Sequence, residues 1–217
     1  GHVSRQWFDQ FFGKVPEPMR KVRMMGLWGG FDGAIYPEFD PAIHCLDDNW
    51  DIPAACQHRR AIDWGSGIDH PFACLFACKN NAGQWYIYDE YYSNDPLRTM
   101  IDHLKTVSDM YPWPTTSPYY GATWADPSGK DWMRAAAKMS DYAPGYPSMN
   151  IQPARNGVWE GIEHIKYLLK PDAALAGLDG RPQPRLKIVA SRCPNLIREL
   201  RSYRTLKATE SGLNPQS

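Results

Sequence analysis

The chain has 217 residues, a length that suits one globular domain with a full hydrophobic core. Its 24 basic and 24 acidic residues give a formal net charge of zero, which excludes a global field that would draw it to nucleic acid or membranes. The sequence shows no signal-peptide pattern and no apolar run near the roughly 18 to 20 residues of a membrane span, so we expect a soluble, intracellular protein without membrane partners.

The cysteines are odd in number and scattered along the chain: Cys45, Cys56, Cys74, Cys78 and Cys193. No CxxC pair occurs and the six histidines are dispersed, which argues against a zinc site. We therefore predict reduced and mostly buried thiols.

The pattern along the chain predicts one domain, 1–217, with three parts. Residues 1–57 alternate aromatic residues, Gly and Pro, which predicts an extended segment that approaches the edge of a sheet. Residues 58–204 carry strand and helix patterns and form the predicted core. Residues 205–217 have no core-forming pattern, so we expect an irregular tail.

The first half of the core reads as three strands and a helix. The runs "RRAIDWG", "FACLFACKN" and "QWYIYDEYY" predict three antiparallel strands, and "NAG" between the last two is a tight hairpin signal. In "DPLRTMIDHLKTVSDMY" an apolar stripe predicts a crossover helix, with Asp95 as its N-cap and Pro96 at the first helical position.

The second half alternates strands with helices. "YYGATWADPSG" predicts a fourth strand that ends at "ADP", followed by a helix in "KDWMRAAAKM" and a short extended "NIQPA". "NGVWEGIEHIKYLLK" predicts a helix with one apolar face, formed by Val158, Ile162, Ile165 and Leu169. After the Gly- and Pro-rich connection "LAGLDGRPQP", a strand is predicted in "RLKIVAS" and a last helix, with Pro194 near its start, in "CPNLIRELRSYR". This order predicts an α/β fold with a mixed sheet, three antiparallel strands then parallel strands, flanked by helices.

Two aspartates carry the candidate chemistry. Asp63 lies late in the first predicted strand, where a carboxylate is unfavourable unless something neutralises it, and Asp126 ends the fourth. If these strands are neighbours, the two carboxylates meet at one edge of the sheet and repel each other unless a cation lies between them. Oxygen ligands of this kind suit Mg²⁺ or Mn²⁺, and two such ions can support phosphodiester hydrolysis. The pattern predicts Asp63 and Asp126 as metal ligands.

Ordinary structural interpretations stand beside this one. An aspartate followed by Pro and Ser, as Asp126 is, commonly opens a turn. Asp89 and Glu90 could add a third carboxylate, although an exposed strand end is the simpler interpretation. His70, in a Pro-flanked loop, is interpreted as a loop side chain.

The order and spacing of the motifs resemble the C-terminal nuclease domain of the large terminase subunit of tailed double-stranded DNA bacteriophages. The resemblance runs from Gly26 to Arg204 and is carried by "GLWGGFDGAIYPEFDP", "RRAIDWGSGIDHPFACL", "WYIYDEYY", "WADPSG", "VWEGIEHIKYLL" and "CPNLIRELRSYR". It implies an RNase H-like fold and an Mg²⁺- or Mn²⁺-dependent endonuclease that cuts concatemeric viral DNA in the cytoplasm of the infected bacterial host. It also implies double-stranded DNA, an ATPase domain, the portal and the small terminase subunit as partners.

Carried over by position, the resemblance assigns catalytic and metal-binding roles to Asp63 and Asp126. The family's third acidic residue would lie beyond the helix in "CPNLIRELRSYR", in a later helix that this sequence does not contain, and Glu199 is a poor substitute. The ATPase half of a large terminase needs a GxxxxGK[ST] loop, and "PSGKDW" lacks its first glycine and its hydroxyl residue, so we expect no ATPase motif in this chain.

The candidate DNA contacts flank the two aspartates: Arg59 and Arg60 lead into Asp63, and Lys130 and Arg134 follow Asp126. Solvated surface charge is an equally good interpretation of each. Two further hypotheses remain open: another RNase H-like nuclease of the resolvase or transposase type, and a DNA-binding or docking module with impaired catalysis.

Overall fold

The computed structural model describes residues 34–65, 70–111, 120–155, 157–177 and 179–204. The chain divides into two compact units, of which the larger is Glu38–Arg201 and the smaller combines Gly1–Pro37 with Ser202–Ser217. Within the smaller unit, Ile35 N donates to the carbonyl of Tyr203 at 3.0 Å. The predicted tail, 205–217, and most of the predicted approach segment lie outside the described residues.

A seven-stranded mixed sheet organises the larger unit. The described strands are β1 Cys45–Leu46, β2 Gln57–Asp63, β3 Phe72–Lys79, β4 Trp85–Ser93, β5 Tyr120–Ala125, β6 Ile151–Pro153, β7 Pro171–Ala176, β8 Pro182–Pro184 and β9 Leu186–Val189. Their order in the sheet is β1-β9-β4-β3-β2-β5-β6, with β7 and β8 forming a separate pair. Strands β2, β3 and β4 are antiparallel, and the other pairs in the large sheet are parallel. The predicted mixed sheet, antiparallel and then parallel, is confirmed.

Helices connect the strands. They are α1 Pro41–His44, α2 Met100–Met110, α3 Lys130–Ala137, α4 Met139–Tyr142, α5 Val158–Leu169 and α6 Pro194–Ser202, with short 3-10 turns at Pro127–Gly129 and Ala190–Arg192. In the part of the chain that the structure describes, none of them combines the length and the apolar character that crossing a membrane requires.

The main core lies on the face of the sheet that α2 covers. Alternate residues of β3 point into it, and their side chains are fully or almost fully buried: Phe72, Cys74, Phe76 and Cys78. Helix α2 contributes Leu104 and Val107 from the stripe seen in the sequence. All five cysteines are free thiols and all except Cys45 are buried, as predicted. Burial raises the pKa of Cys74 to about 12, so this thiol stays protonated at neutral pH.

Helix α2 begins later than predicted. Its N-cap is Thr99 rather than Asp95, because Thr99 and Asp102 form a capping box. The Thr99 hydroxyl accepts from Asp102 N at 3.2 Å, and Asp102 Oδ2 accepts from Thr99 N at 3.1 Å. Asp95 instead opens a turn ahead of the helix, where its Oδ1 accepts from Leu97 N at 3.0 Å. The prediction that Pro96 is the first helical residue is therefore wrong.

Two expectations for the following region also need correction. Val158 was predicted to lie on the apolar face of α5, but it is 55% exposed at the first position of the helix, while Ile162, Leu168 and Leu169 are buried. The predicted connection "LAGLDGRPQP" contains the last two residues of β7 and all of β8, which form an antiparallel pair. An ion pair between Arg185 and Asp172 links the two ends of this hairpin.

Candidate active site at the ends of two parallel strands

Asp63 and Asp126 occupy equivalent ends of neighbouring strands. Strands β2 and β5 are parallel, with Ala61 opposite Trp124 and Ile62 opposite Ala125. Asp63 is the last residue of β2 and Asp126 directly follows β5, so one further step in this register brings the two aspartates opposite each other. Paired positions on adjacent strands, about 4.8 Å apart, carry side chains on the same face. The sheet therefore brings together the two residues that the sequence singled out.

A local backbone contact orients each carboxylate. Asp63 Oδ1 accepts from Gly65 N at 3.2 Å, and Asp126 Oδ1 accepts from Ser128 N at 2.7 Å. Both contacts are Asx turns, so Asp126 does open a turn through its Oδ1, as one interpretation of the sequence expected. A carboxylate has about four lone-pair sites on two oxygens, so the Asx-turn bond by itself does not exclude a cation at the same group. The turns fix the direction of each carboxylate without excluding a ligand.

The Trp64 side chain links the end of β2 to the residue that follows β5. The side chain is only 6% exposed, and its Nε1 donates to the backbone carbonyl of Asp126 at 2.9 Å. A Cβ added at Gly129 would clash with the indole, so the turn after Asp126 needs glycine at this position. Sequence reasoning missed this link, although the "DWG" and "ADPSG" segments contain each of its residues.

Gly65 allows the chain to turn directly after Trp64. It has φ +63°, and a Cβ at this position would clash with the backbone carbonyl of His70. Both features disfavour any residue with a side chain, because the left-handed region is strained for L-residues and the backbone carbonyl cannot move away easily.

Replacing Gly65 with Ala should therefore lower the free energy of unfolding by about 1–3 kcal/mol through backbone strain, and by more through the clash with His70, and should reduce any activity that depends on Asp63, whose carboxylate bonds to Gly65 N. Urea denaturation measures the first effect. Gly180→Ala is the matched control, because Gly180 has φ +74° but an added Cβ meets no atom within 4 Å. Equal losses of unfolding free energy in Gly65→Ala and Gly180→Ala would show that the close approach of Gly65 to His70 has no effect on stability.

The two neighbouring arginines of β2 lie on opposite faces of the sheet. Arg59 shares the face of Asp63, and its guanidinium lies over the Trp124 ring, 5.7 Å from the centroid. Its Nη1 also donates to the carbonyl of His58 at 2.7 Å. Arg60 is 7% exposed, and its Nε donates to the Thr123 hydroxyl at 3.0 Å inside the sheet. Arg60 therefore exposes little of its side chain to solvent, and burial lowers its pKa. Its role as a DNA contact stays a prediction.

The other two basic candidates lie on the helix that follows Asp126. Lys130 is the first residue of α3 and is exposed. Arg134, one turn later, is also exposed, and its Nη1 is 2.6 Å from Asp131 Oδ1. Exposed pairs of this kind are weak and exchange readily with solvent. The structure thus exposes Lys130 and Arg134 on the surface of the larger unit and leaves Arg59 partly exposed, in segments adjoining the two aspartates.

The other carboxylates proposed from sequence are engaged elsewhere. Glu90 Oε1 accepts from Asn195 N at 2.6 Å and its Oε2 accepts from Leu196 N at 2.8 Å, so Glu90 caps α6. Asp89 Oδ2 accepts from the Tyr111 hydroxyl at 2.8 Å. Glu199 is exposed on α6, 3.4 Å from Arg198. Among the described residues, no group of three or more His, Cys, Asp or Glu side chains could hold a metal ion.

Replacing Glu90 with Ala should lower the free energy of unfolding by about 2 kcal/mol, because charge-assisted bonds to the first amides of a helix are lost together. Any activity that depends on Asp63 and Asp126 should stay within about twofold of the parent in the folded protein, since the contacts of Glu90 are with α6. Urea denaturation measures the change in stability, with Glu199→Ala as the exposed control on the same helix. Loss of that activity without loss of stability would instead make Glu90 part of the site.

The fold is that of phage large terminase nuclease structures. The chain superposes on the large terminase of a thermophilic bacteriophage with a TM-score of 0.59 at 16% identity, covering 92% of this chain and 44% of that one. It superposes on the P22 large terminase nuclease domain with a TM-score of 0.54 at 16% identity, covering 82% of this chain and 81% of that domain. The chain thus spans less than half of the thermophilic phage protein.

Sequence comparison adds no further relatives: no protein-family model and no curated protein matches this chain. At these identities the structural likeness establishes the fold. The resemblance to terminase nuclease domains inferred from the motifs is confirmed as a likeness of fold.

Proposed function

We propose that this chain is a metal-dependent endonuclease domain, with Asp63 and Asp126 as its catalytic and metal-binding residues. The observation that carries the proposal is the position of the two aspartates, one register step beyond Ile62 and Ala125 at the ends of adjacent parallel strands. The likeness of this chain's fold to that of the P22 large terminase nuclease domain is consistent with endonuclease activity.

The two carboxylates fit a divalent cation through their chemistry. They are hard oxygen donors, and Mg²⁺ or Mn²⁺ is held in proteins by one or two carboxylates together with water and substrate phosphate oxygens. When bound, one or two such ions supply an activated water and neutralise charge on the phosphate and the leaving oxygen. Two carboxylates on one face suffice to hold the first ion.

The surrounding residues have positioning roles in this proposal. Trp64 holds the Asp126 backbone through its indole N–H, and the Gly65 and Ser128 amides orient the two carboxylates. Arg59, stacked on Trp124, and the exposed Lys130 and Arg134 are proposed to bind backbone phosphates. Contacts of this kind position DNA without reading its sequence, so cutting should show little sequence preference.

The biological setting is part of the proposal. We infer that the substrate is double-stranded concatemeric viral DNA, cut during genome packaging in the cytoplasm of the infected bacterium. The full-length protein would then include an ATPase domain and work with the portal and the small terminase subunit. The likeness to the large terminase of the thermophilic phage, of which the chain covers 44%, supports this setting.

Removing the metal tests the proposal. The parent chain should nick and linearise plasmid DNA with Mg²⁺ or Mn²⁺, and EDTA should abolish cutting, because the two aspartates alone cannot activate water on a phosphodiester. Chelex-treated protein with and without added metal is the control. A parent that binds DNA but cuts under no metal condition would instead favour a docking module, and strong preference for a four-way junction would favour a resolvase-type nuclease.

A further inference from the structure

A cleft of about 550 Å³ lies in the larger unit, on the sheet face that α2 covers and next to the ends of β2 and β5, whereas the Asp63 position lies on the other face. Trp64 and Gly65, which directly follow Asp63, line one side of it, and residues of the loop between β4 and α2 line another. Trp132, from the helix that follows Asp126, also lines the cleft. The cleft is therefore built from the segments that extend from both strand ends.

The aromatic rings of the lining differ in exposure. Trp132 is 45% exposed, whereas Trp64, Phe72 and His103 are almost fully buried. The His103 imidazole stacks on the Phe72 ring with centroids 4.5 Å apart, and a 2.9 Å hydrogen bond joins His103 to the Tyr91 hydroxyl. Burial, with the nearby Arg98 cation, lowers the pKa of His103, so this ring is neutral at physiological pH.

The described residues that line the cleft include one cation, Arg98, and one carboxylate, Asp95. Arg98 Nη1 donates to the Tyr91 hydroxyl at 3.0 Å and to the Thr106 hydroxyl at 2.8 Å. Arg98 Nε is 3.9 Å from Asp95 Oδ2, the one carboxylate among the described residues that line the cleft. The cleft therefore suits a neutral, flat group with polar edges better than it suits an anion.

We propose that this cleft binds one unpaired base of the DNA strand held at Asp63 and Asp126, with the Trp132 indole stacking on that base. The volume lies within the range of about 300–1,000 Å³ typical of small-molecule sites. Aromatic stacking is how proteins hold unpaired bases without sequence preference, and enzymes that act on DNA commonly draw a nucleotide out of the stack. The inference deepens the proposed nuclease function and rests on it, because that function brings DNA to this edge of the sheet.

Binding in EDTA tests the inference separately from cutting. Fluorescence anisotropy would compare a labelled oligothymidylate of about 12 nucleotides with a duplex of the same length, for the parent, Trp132→Ala and Trp132→Phe. Trp132→Ala should weaken single-strand binding about fivefold or more and leave duplex binding within about twofold, and Trp132→Phe should retain part of the affinity. Tyr142→Ala is the matched control, because Tyr142 is a 60% exposed aromatic side chain on α4 outside the cleft lining.

Circular dichroism would establish that the Trp132 variants are folded, as expected for an exposed side chain. Unchanged single-strand affinity in Trp132→Ala, equal losses for both DNA forms, or no single-strand binding by the parent would each overturn the proposal. Plasmid cutting by the parent with Mg²⁺ or Mn²⁺ reports on the nuclease function itself. Cutting that persists while the oligothymidylate result is negative would reject the base-binding cleft alone.

Discussion

Replacing Asp63 with Asn should reduce plasmid cutting by at least about 100-fold. Changes to residues that only support a metal ligand commonly cost about 10- to 100-fold in affinity or activity, and loss of a direct ligand should cost at least as much. The amide oxygen of Asn can still accept the bond from Gly65 N, so the turn after β2 should survive. The variant therefore removes the negative charge with little change in shape.

The assay is conversion of supercoiled plasmid with Mg²⁺ or Mn²⁺, beside binding of the same DNA in EDTA. Asp48→Asn is the matched control, because Asp48 is exposed and precedes β2 by several residues. Asp63→Asn should bind DNA as well as the parent does. Cutting within about threefold of the parent would remove Asp63 from the catalytic site.

Replacing Trp64 with Ala should lower the free energy of unfolding by about 3–5 kcal/mol, the usual cost of removing a large buried aromatic side chain. The indole packs against Phe72, with centroids 6.3 Å apart, and donates to the Asp126 carbonyl. Its loss leaves a cavity under the ends of β2 and β5 and frees the Asp126 backbone. Cutting should fall with stability because the relative position of the two aspartates is no longer fixed.

Trp64→Phe separates these two effects. It keeps much of the packing but leaves the Asp126 carbonyl without the indole donor, which should cost about 1–2 kcal/mol in stability and reduce cutting in the folded protein. Urea denaturation followed by circular dichroism, with plasmid cutting below the transition, measures both. Full activity and stability in Trp64→Phe would show that the bond to Asp126 has no positioning role.

The strands could be predicted because their patterns are local. In β3 the alternation of Phe72, Cys74, Phe76 and Cys78 marks one buried face in the sequence and in the structure. The same alternation in β2 separates its arginines: Arg60 shares the face of the buried Ile62, whereas Arg59 shares the face of Asp63. The period of two in β2 thus predicts the different burial of Arg59 and Arg60 that the structure shows.

Other features depend on contacts that sequence spacing does not reveal. Glu90 caps a helix about 105 positions further along the chain, and nothing near Glu90 indicates that partner. The neighbouring positions of β2 and β5 had to be assumed, because strand order follows from the packing of the whole sheet. The start of α2 is different: the Thr99–Asp102 capping box was visible in the sequence, but Pro96 gave a competing signal three residues earlier.

In the proposed nuclease, Asp63 and Asp126 act together at one site. The most direct test of this joint role is a double-mutant comparison of plasmid cutting rates with Mn²⁺ for the parent, Asp63→Asn, Asp126→Asn and the double variant, with DNA binding measured in parallel. Residues that act as a unit show strongly non-additive losses. We predict that each single variant loses at least about 100-fold and that the double variant loses no more than the worse single one. Losses that multiply, or a single variant that retains cutting, would contradict a shared site.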